Sequence, residues 1–429
     1  MTGSGRVAVL GIGMHPWGKW GRSFVEYGLH AANAALDDAG ISWEDVQLVS
    51  GADTIRNGYP GFVAGATFAQ ALGWSGARVS SVYAACASGA AAIASARAQI
   101  LAGMVDVALV VGADTAPKGF FAPVGGDRRD DPDWLRFHLL GATNPTYFAL
   151  YARRRMAIYG ATSKDFAAVK AKNSRHGAAN PNARYRDVVD VDDVLASPVV
   201  ADPLHLLDIC ATSDGGAALV LASMDFARRH AASLPSGGTG KGIVSIAAVS
   251  TVTPRYPNTV IEMPNFATDS AACLPSSSAS GNEQAGGPAG GETDEPAAAP
   301  TGGFRSQVAA AAYEEAGIGP EDVDLAEVYD LSSALELDWY EALGICGEGE
   351  AEELLRRGCT ELGGRLPVNP SGGLSSFGEA IPAQAIAQVC EVVLQLRGGA
   401  AGRQVAGARV GITANQGLFG HGSSVVAMR

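Results

Sequence analysis

An internal repeat constrains the fold of this chain more than any other feature of its sequence. The segment AANAALDDAGISWEDVQLVSGAD, which ends at Asp53, aligns without a gap with QVAAAAYEEAGIGPEDVDLAEVYD, which ends at Asp330. Each copy has the pattern of an amphipathic helix, a glycine stop, a short turn with an acidic cap and a buried strand. This self-similarity predicts a chain built from two related αβ halves.

The rest of each half continues the alternation of strands and helices. The run DVALVVGA is continuously apolar, which is typical of a strand covered on both faces. The helix after Cys86 and the helix in IPAQAIAQVCEVVLQLRG carry small or apolar residues on nearly every side, as helices buried on all sides do. We therefore expect an α/β fold in which the two halves stack and each central helix lies between two sheets.

Composition predicts the division of the chain. We expect an N-terminal half over residues 1–265, which includes a more polar helical loop domain over about 120–202. Residues 268–303 are rich in Ser, Gly, Ala and Pro, which predicts a flexible low-complexity insertion. The C-terminal half is expected over residues 304–429.

The bulk properties exclude several classes of protein. A formal net charge of −13 with no run of Lys or Arg argues against a nucleic-acid partner. No apolar run reaches the roughly 20 residues that a membrane span needs, and the N-terminus lacks the apolar core of a signal peptide, so we expect a cytoplasmic protein. The six cysteines contain no CxxC pair, so neither a metal site nor a disulfide framework is predicted.

Cys86 is the first candidate for chemistry. It lies between a strand and a helix of very small residues, in SSVYAACASGAAAIASA. The N-terminus of that helix would lower the pKa of the thiol and make it a nucleophile. The alternative is that Cys86 is a small buried residue with no reactive role.

Three further residues are candidate catalytic groups. Tyr329 ends a buried strand, where sites of α/β proteins form, but it could equally be a core aromatic residue. Glu379 follows an irregular glycine loop at the start of an apolar helix, as a desolvated base or as a simple helix-terminal charge. His421 lies between glycines near the C-terminus and is either a base or structural. The predicted substrate-binding residues are Asp330, Asn369, Ser371, Gly372, Gly373 and Gly420.

Two long stretches resemble a known family. The segment CASGAAAIASARAQILAGMVDVALVVGAD resembles the nucleophile strand and helix of the thiolase superfamily. The segment from EVYDLSS through GGRLPVNPSGGLSSFGEA is similar to the second half of sterol-carrier-protein-X thiolases and lipid-transfer-protein-like enzymes. The resemblance implies a duplicated thiolase fold, five-layered αβαβα with an inserted helical loop domain, and a dimer that acts on acyl-CoA thioesters.

The chain departs from those thiolases at several functional positions. Their His-Asp-Cys-Phe motif corresponds to Tyr-Asp-Leu-Ser at residues 329–332, and their Gly-His-Pro loop corresponds to Gly-Glu-Ala at residues 378–380. Phe419 stands about where the C-terminal cysteine of degradative thiolases would fall. Of the thiolase catalytic groups, the nucleophile Cys86 remains.

These departures resemble the lipid-transfer-protein-like aldolases of steroid side-chain degradation. The resemblance implies retro-aldol cleavage of a β-hydroxyacyl-CoA, with acetyl- or propionyl-CoA and a ketone or aldehyde as products. It also implies a small OB-fold, zinc-ribbon partner that would join a homodimer in a heterotetramer. CoA is expected as part of the substrate, with no permanently bound cofactor. The alternatives are a Cys86-dependent thiolase acting on a β-ketoacyl-CoA and a non-catalytic acyl-CoA- or lipid-binding subunit.

Overall fold

The structure is a computed structural model that describes residues 6–56, 59–116, 143–233, 242–254, 303–417 and 422–429. The predicted insertion at 268–303 lies outside the described residues apart from Gly303, as does part of the predicted loop domain. The predicted domain boundaries therefore stay predictions.

Within the described residues, nine strands form one mixed sheet and two short hairpins lie beside it. The order in the large sheet is β11-β12-β13-β10-β1-β9-β6-β2-β5. The strands are β1 (Val7–Gly18), β2 (Leu48–Ala52), β3 (Thr54–Arg56), β4 (Tyr59–Phe62), β5 (Arg78–Val82), β6 (Val107–Thr115), β7 (Val199–Ala201), β8 (Leu204–His205), β9 (Asp214–Ala222), β10 (Val244–Val252), β11 (Leu325–Val328), β12 (Val410–Gln416) and β13 (Gly422–Met428).

The described helices alternate with these strands and cover both faces of the sheet. None of them is both long enough and apolar enough to cross a membrane. The helices are α1 (Phe24–Ala39), α2 (Ala64–Ala71), α3 (Ser88–Leu101), α4 (Asn144–Tyr159), α5 (Ser163–Ala178), α6 (Val191–Ala196), α7 (Met224–Ser233), α8 (Phe304–Ala316), α9 (Ser333–Ala342), α10 (Ala351–Arg356), α11 (Gly373–Phe377) and α12 (Ile381–Leu396).

The two halves have the same topology. Strands β2-β6-β9-β1 repeat as β11-β12-β13-β10, with the first pair parallel and the next two pairs antiparallel in both halves. The antiparallel pair β1–β10 joins the halves edge to edge. Helices α1 and α8 both end at a glycine in the left-handed region, Gly40 with φ 67° and Gly317 with φ 70°. The predicted duplication is confirmed.

Helices α3 and α12 form the central layer. Each contacts strands of both halves: α3 packs on β2 and β6 and also on β10, and α12 packs on β6 and β9 and also on β12. Helices α1 and α2 cover the outer side of the N-terminal strands, while α8 packs on β10 and β13. This is the predicted five-layered αβαβα arrangement, in which the small residues of the central helices permit burial on all sides.

Glycines permit this central layer. A Cβ on Gly89 would lie 2.9 Å from Ile386 Cγ1 and 3.1 Å from the carbonyl oxygen of Pro382, so α3 can approach α12 only without a side chain there. A Cβ on Gly112 of β6 would lie 2.2 Å from the same Pro382 oxygen. The N-terminal end of α12 is thus held against both a helix and a strand of the other half.

A buried charge cluster fastens the described part of the loop domain to the C-terminal half. Arg155 of α4 has no exposed surface, and its guanidinium forms ion pairs of 2.6 to 2.7 Å with three carboxylates on or beside α9 and α10. These partners are Asp338, Glu341 and Glu352. Because a buried guanidinium without partners would be costly, the cluster fixes α4 in one position.

We expect Gly112→Ala to lower the free energy of unfolding by about 1–3 kcal/mol, the usual cost of overpacking a well-packed core. The new methyl group would press on backbone of α12 that cannot move alone. Gly399→Ala is the matched control, because its Cβ would meet nothing closer than 3.5 Å. Denaturant unfolding of both variants measures the difference, and equal stabilities would contradict the close packing.

Candidate active site

A strained turn presents Cys86 at the start of α3. The residue before it, Ala85, has φ 50°, in the left-handed region that non-glycine residues rarely adopt. Ser88 holds the turn, because its hydroxyl accepts a hydrogen bond from the amide of Ala84 at 2.9 Å and donates to the carbonyl of Ala85 at 2.6 Å. A Cβ on Gly417, just after β12, would lie 2.6 Å from Ala85 Cβ, so the C-terminal half packs directly on this turn.

Glu379 lies at the equivalent junction of the other half, between α11 and α12. Gly378 precedes it with φ 78°, and a Cβ there would lie 2.4 Å from Ser213 Oγ. The amide of Glu379 donates to the carbonyl of Ala211 at 2.7 Å, and its carbonyl accepts from the amide of Ser213 at 2.8 Å. The backbone of Glu379 is therefore fixed on both sides, and its side chain is 1% exposed.

The two junctions meet, as the pseudo-symmetry of the halves predicts. The Cys86 thiol donates to Glu379 Oε1 at 3.0 Å, and the Tyr329 hydroxyl lies 3.7 Å from the same sulfur. Asp114 at the end of β6 accepts from the amide of Ile381 at 3.1 Å and so fixes the first turn of α12. Three of the four predicted catalytic residues thus lie together.

The electrostatics of this cluster favour protonated groups. Burial, then the negative charge of Glu379, raises the pKa of the Cys86 thiol well above its usual value. Burial, then the charge that Cys86 would carry as a thiolate and the charge of Glu379, likewise raise the pKa of Tyr329. The expectation that the helix N-terminus lowers the thiol pKa is wrong, because desolvation and a neighbouring carboxylate outweigh it. Both the thiol and the phenol are therefore held neutral beside Glu379.

Three buried side-chain amides, linked by hydrogen bonds, hold the backbone of the Cys86 turn. Gln384 Nε2 donates to the carbonyl of Cys86 and to Asn415 Oδ1, both at 3.4 Å. Asn415 Nδ2 in turn donates to Gln388 Oε1 at 3.0 Å. Sequence reasoning missed these residues. Their signal was a pair of glutamines one turn apart on a mostly apolar helix, together with the amide residues of TANQ in a buried strand.

Asp330 shapes the loop that leads to Glu379. Its carboxylate accepts from the amides of Leu374 at 2.7 Å and Ser375 at 3.1 Å, and from Asn173 Nδ2 of α5 at 2.9 Å. Burial, then the nearby negative charge of Glu336, raises the pKa of Asp330 to about 7. Its contacts are with protein groups, and a role in binding substrate stays a prediction.

The other predicted substrate-binding residues in this loop are also buried and bonded to protein. Asn369 accepts from the amide of Val328 at 2.7 Å and donates to Glu336 Oε2 at 2.8 Å, while Ser371 bonds Glu327 through both its amide and its hydroxyl. A Cβ on either glycine of the loop would collide with its neighbours. These are Gly372, which faces Gly177, and Gly373, which faces Asp330.

Two predicted site residues, His421 and Gly420, lie outside the described residues, and so does Phe419. Their predicted places at the site stay predictions. No cluster of His, Cys, Asp and Glu side chains suited to a metal ion occurs among the residues that the structure describes.

A cavity of about 700 Å³ adjoins the cluster. Ala211 and Thr212, next to the backbone of Glu379, form part of its wall, and much of the rest is apolar. Cys210 also lines it, and burial followed by the negative charges of Glu379 and Asp330 raises the pKa of its thiol well above the usual value. A volume of this size is in the range of pockets for small organic ligands, about 300–1,000 Å³.

Comparison with known proteins places these features in a family. Residues 7–225 match the family model "Thiolase, N-terminal domain", and residues 297–428 match "Thiolase C-terminal domain-like". Sterol carrier protein 2 of Rattus norvegicus is 30% identical over 440 residues, which cover 97% of this chain and 70% of the rat protein. An acetyl-CoA acetyltransferase of Methanothermobacter thermautotrophicus is 30% identical over 433 residues, 98% of either chain.

A solved structure described as the Ltp2-ChsH2(DUF35) aldolase superposes with a TM-score of 0.74 at 26% identity, covering 99% of this chain and 98% of the other. The relatives therefore include both an acyltransferase and an aldolase, on one fold. The resemblance noted in the sequence is confirmed by two family models that together span most of the chain. The chain belongs to the thiolase family, in its sterol-carrier-protein-2 thiolase-like group, and is an acyl-CoA lyase or acyltransferase.

Proposed function

We propose that this protein cleaves the Cα–Cβ bond of a β-hydroxyacyl-CoA by a retro-aldol reaction. The products would be acetyl- or propionyl-CoA and a ketone or aldehyde. The observation that carries the proposal is the contact of a buried carboxylate, Glu379, and a buried phenol, Tyr329, with the same atom, Cys86 Sγ. A carboxylate and a neutral phenol supply the base and the acid that this reaction needs.

The proposed reaction moves one proton out of the substrate and one back in. The Glu379 carboxylate accepts the proton of the β-hydroxyl group, the carbon–oxygen double bond forms, and the Cα–Cβ bond breaks. The electron pair of that bond passes to Cα as a thioester enolate. Tyr329, held neutral by its raised pKa, donates the proton that converts the enolate to the released acyl-CoA, and the phenolate then takes back the proton that Glu379 holds, which restores both groups.

Cys86 is a non-nucleophilic member of the site in this proposal. Thiolysis would require a thiolate. An ionised Glu379 repels one in this desolvated site, and a Glu379 that has taken the thiol proton carries no positive charge to stabilise it. The thiol instead occupies the space between the phenol and the carboxylate, hydrogen-bonded to each.

Thiolysis of a β-ketoacyl-CoA is the second candidate, and one observation favours it. Glu379 Oε1 accepts the thiol hydrogen bond at 3.0 Å, which is the geometry of a base about to activate a nucleophile. In that reaction Cys86 would attack the β-keto carbon and free CoA would release the acyl group. The acetyl-CoA acetyltransferase relative supports this alternative.

We propose a bulky acyl chain, of steroid side-chain size or similar, as the substrate, because the adjoining cavity of about 700 Å³ leaves room for one. CoA enters as part of the substrate, with no permanently bound cofactor. A partner of the kind named in the ChsH2 (DUF35) aldolase would help hold the acyl-CoA. A cytoplasmic location stays a prediction.

We also propose a homodimer that uses the edge of the sheet at β5. This strand pairs with β2 on one side only within the described residues, and Val79 and Tyr83 are 40% and 42% exposed. Trp74 and Val63 nearby are 66% and 63% exposed. An exposed edge with apolar side chains is suited to pairing with a second copy across a twofold axis.

Activity of three variants tests the reaction. With a β-hydroxyacyl-CoA and no free CoA, we expect Tyr329→Phe and Glu379→Gln to lower kcat by about 10²- to 10⁴-fold, as losses of an acid or a base do. Cys86→Ala should retain activity within about tenfold. Mass spectrometry of the products gives the rates, and Tyr313→Phe is a control because its hydroxyl bonds the distant Leu343 carbonyl.

The opposite pattern would favour the second candidate. Cleavage of the matched β-ketoacyl-CoA only in the presence of CoA, abolished by Cys86→Ala, would establish thiolysis and refute the retro-aldol proposal. Tight binding of either substrate without turnover, with the partner subunit present, would instead point to a non-catalytic acyl-CoA-binding subunit.

Alkylation of Cys86 tests the electrostatics directly. Glu379→Gln removes a negative charge next to the thiol and so lowers its pKa. The iodoacetamide reaction of Cys86 should then become faster at pH 8, and its pH profile should shift to lower pH. Peptide mass spectrometry resolves the sites, and the rate at the partly exposed Cys359 should not change. An unchanged Cys86 profile would contradict the assignment of Glu379 as the charged neighbour.

Light scattering tests the dimer. We expect Val79→Lys to convert the dimer to a monomer, because a charge would be placed in the centre of the proposed strand pairing. Val188→Lys changes a residue that is 58% exposed elsewhere and should leave the dimer intact. A wild-type monomer at micromolar concentration, or a dimer that survives Val79→Lys, would refute this interface.

A further inference from the structure

The cavity beside the active site has one feature that the proposed reaction does not use, a nearly buried lysine. Lys170 of α5 is 8% exposed and lines the cavity together with Cys210. Among the described residues of the lining it is the only basic side chain. The wall around it includes the apolar residues Val189, Leu207 and Ile209.

The ammonium group of Lys170 lacks a counter-charge in contact. Its Nζ donates to the carbonyl of Ser375 at 2.7 Å and lies 6.0 Å from the centre of the Tyr185 ring. Within the described part of the chain no carboxylate forms an ion pair with it. The nearby carboxylate of Asp330 is already bonded to two amides and to Asn173. An ammonium has three donors, so donors remain for a ligand.

In the same helix, the buried Lys172 has the counter-charge that Lys170 lacks. Its Nζ forms a 2.7 Å ion pair with Glu336 and a 2.9 Å hydrogen bond to the carbonyl of Val368. Lys172 is fully buried and borders no described cavity wall, whereas Lys170 borders the cavity. Burial lowers the pKa of Lys170, and the more distant negative charges of Asp330 and Asp208 only partly offset that effect.

We propose that the cavity takes the acyl chain of the substrate and that Lys170 binds a carboxylate on that chain. The substrate class would then be an acyl-CoA whose acyl part carries a second, distal acid group. A carboxylate supplies both the charge and the acceptor oxygens that the ammonium lacks. The apolar wall accommodates the hydrocarbon between the thioester and the acid.

The lining also argues for the acyl part rather than the phosphates of CoA. Those phosphates carry several negative charges, and a wall with a single described basic side chain among mostly apolar ones can balance only one of them. The cavity comes nearest to Glu379 at Ala211 and Thr212, since the carbonyl of Ala211 accepts a hydrogen bond from the amide of Glu379. An acyl chain lying along the cavity would therefore begin at the thioester near Glu379 and end at a distal group.

This inference rests on the proposed acyl-CoA function, and binding tests it separately from catalysis. Saturated acyl-CoAs lack the β-hydroxyl group and cannot be cleaved. We would compare, by calorimetry with the full chain, a series of chain lengths that end either in a carboxylate or in a methyl group. The wild type should bind the best carboxylate-ended chain about 10- to 100-fold more tightly, the usual effect of one charged hydrogen bond.

Lys170→Met should abolish this preference and leave the affinity for methyl-ended chains and for CoA alone unchanged. Lys170→Gln is a second variant in case Met alters folding, and Lys164→Met, on the exposed side of the same helix, should behave as wild type. A wild type without preference, or a Lys170 variant that weakens all ligands or CoA alone equally, would overturn the inference. A carboxylate preference without any turnover of β-hydroxyacyl-CoA would support it while refuting the proposed reaction.

Discussion

The close packing of α3 against α12 is the constraint on which the active site depends. Cys86 and Glu379 lie just before the first residues of these helices, Ser88 and Ile381, and the first turns touch because Gly89 leaves no side chain between them. Asp114 adds a hydrogen bond that holds the start of α12 against β6. A thiol and a carboxylate that are 293 residues apart in the chain can then share a 3.0 Å hydrogen bond. A side chain at position 89 would push α3 away from α12 and would also separate Cys86 from Glu379.

Pseudo-symmetry explains why the site forms there. In each half an irregular turn precedes the central helix, after β5 in the first half and after α11 in the second, and the duplication brings the two turns together at one point. One turn is strained at Ala85 and the other passes through Gly378 in the left-handed region. The Ser88 hydroxyl donates a buried hydrogen bond to the carbonyl of Ala85 in one turn, and the Ser213 amide donates to the carbonyl of Glu379 in the other. Backbone strain that neighbouring groups maintain is typical of functional sites.

The sequence predicted the architecture and the meeting of Cys86 with Glu379, because both follow from periodicity and from a gapless repeat. It did not predict the sign of the thiol pKa shift. A helix terminus is a local feature that can be read from adjacent residues, whereas the desolvation and the opposing carboxylate arise from tertiary contacts. The amide chain through Gln384 and Asn415 was missed for the same reason, since each amide finds its partner on a different element. The sequence around Lys170 did not predict a ligand site either. The cavity wall around this lysine comes largely from the segment that precedes β9, which is distant in the chain.

The thiolases that this chain resembles have a histidine in the loop where this chain has Glu379. Replacing that imidazole by a carboxylate changes which reaction the scaffold favours. An imidazole can accept the thiol proton and become a cation that stabilises the thiolate, whereas a carboxylate that accepts the proton becomes neutral and gives no such stabilisation. A retro-aldol reaction needs no thiolate, since the hydroxyl proton leaves as the carbon–carbon bond breaks. In the proposed reaction the negative charge passes from Glu379 to the thioester oxygen of the substrate, while the neutral phenol of Tyr329 supplies a proton. The raised pKa values of Cys86 and Tyr329 suit that path and oppose a thiolate intermediate.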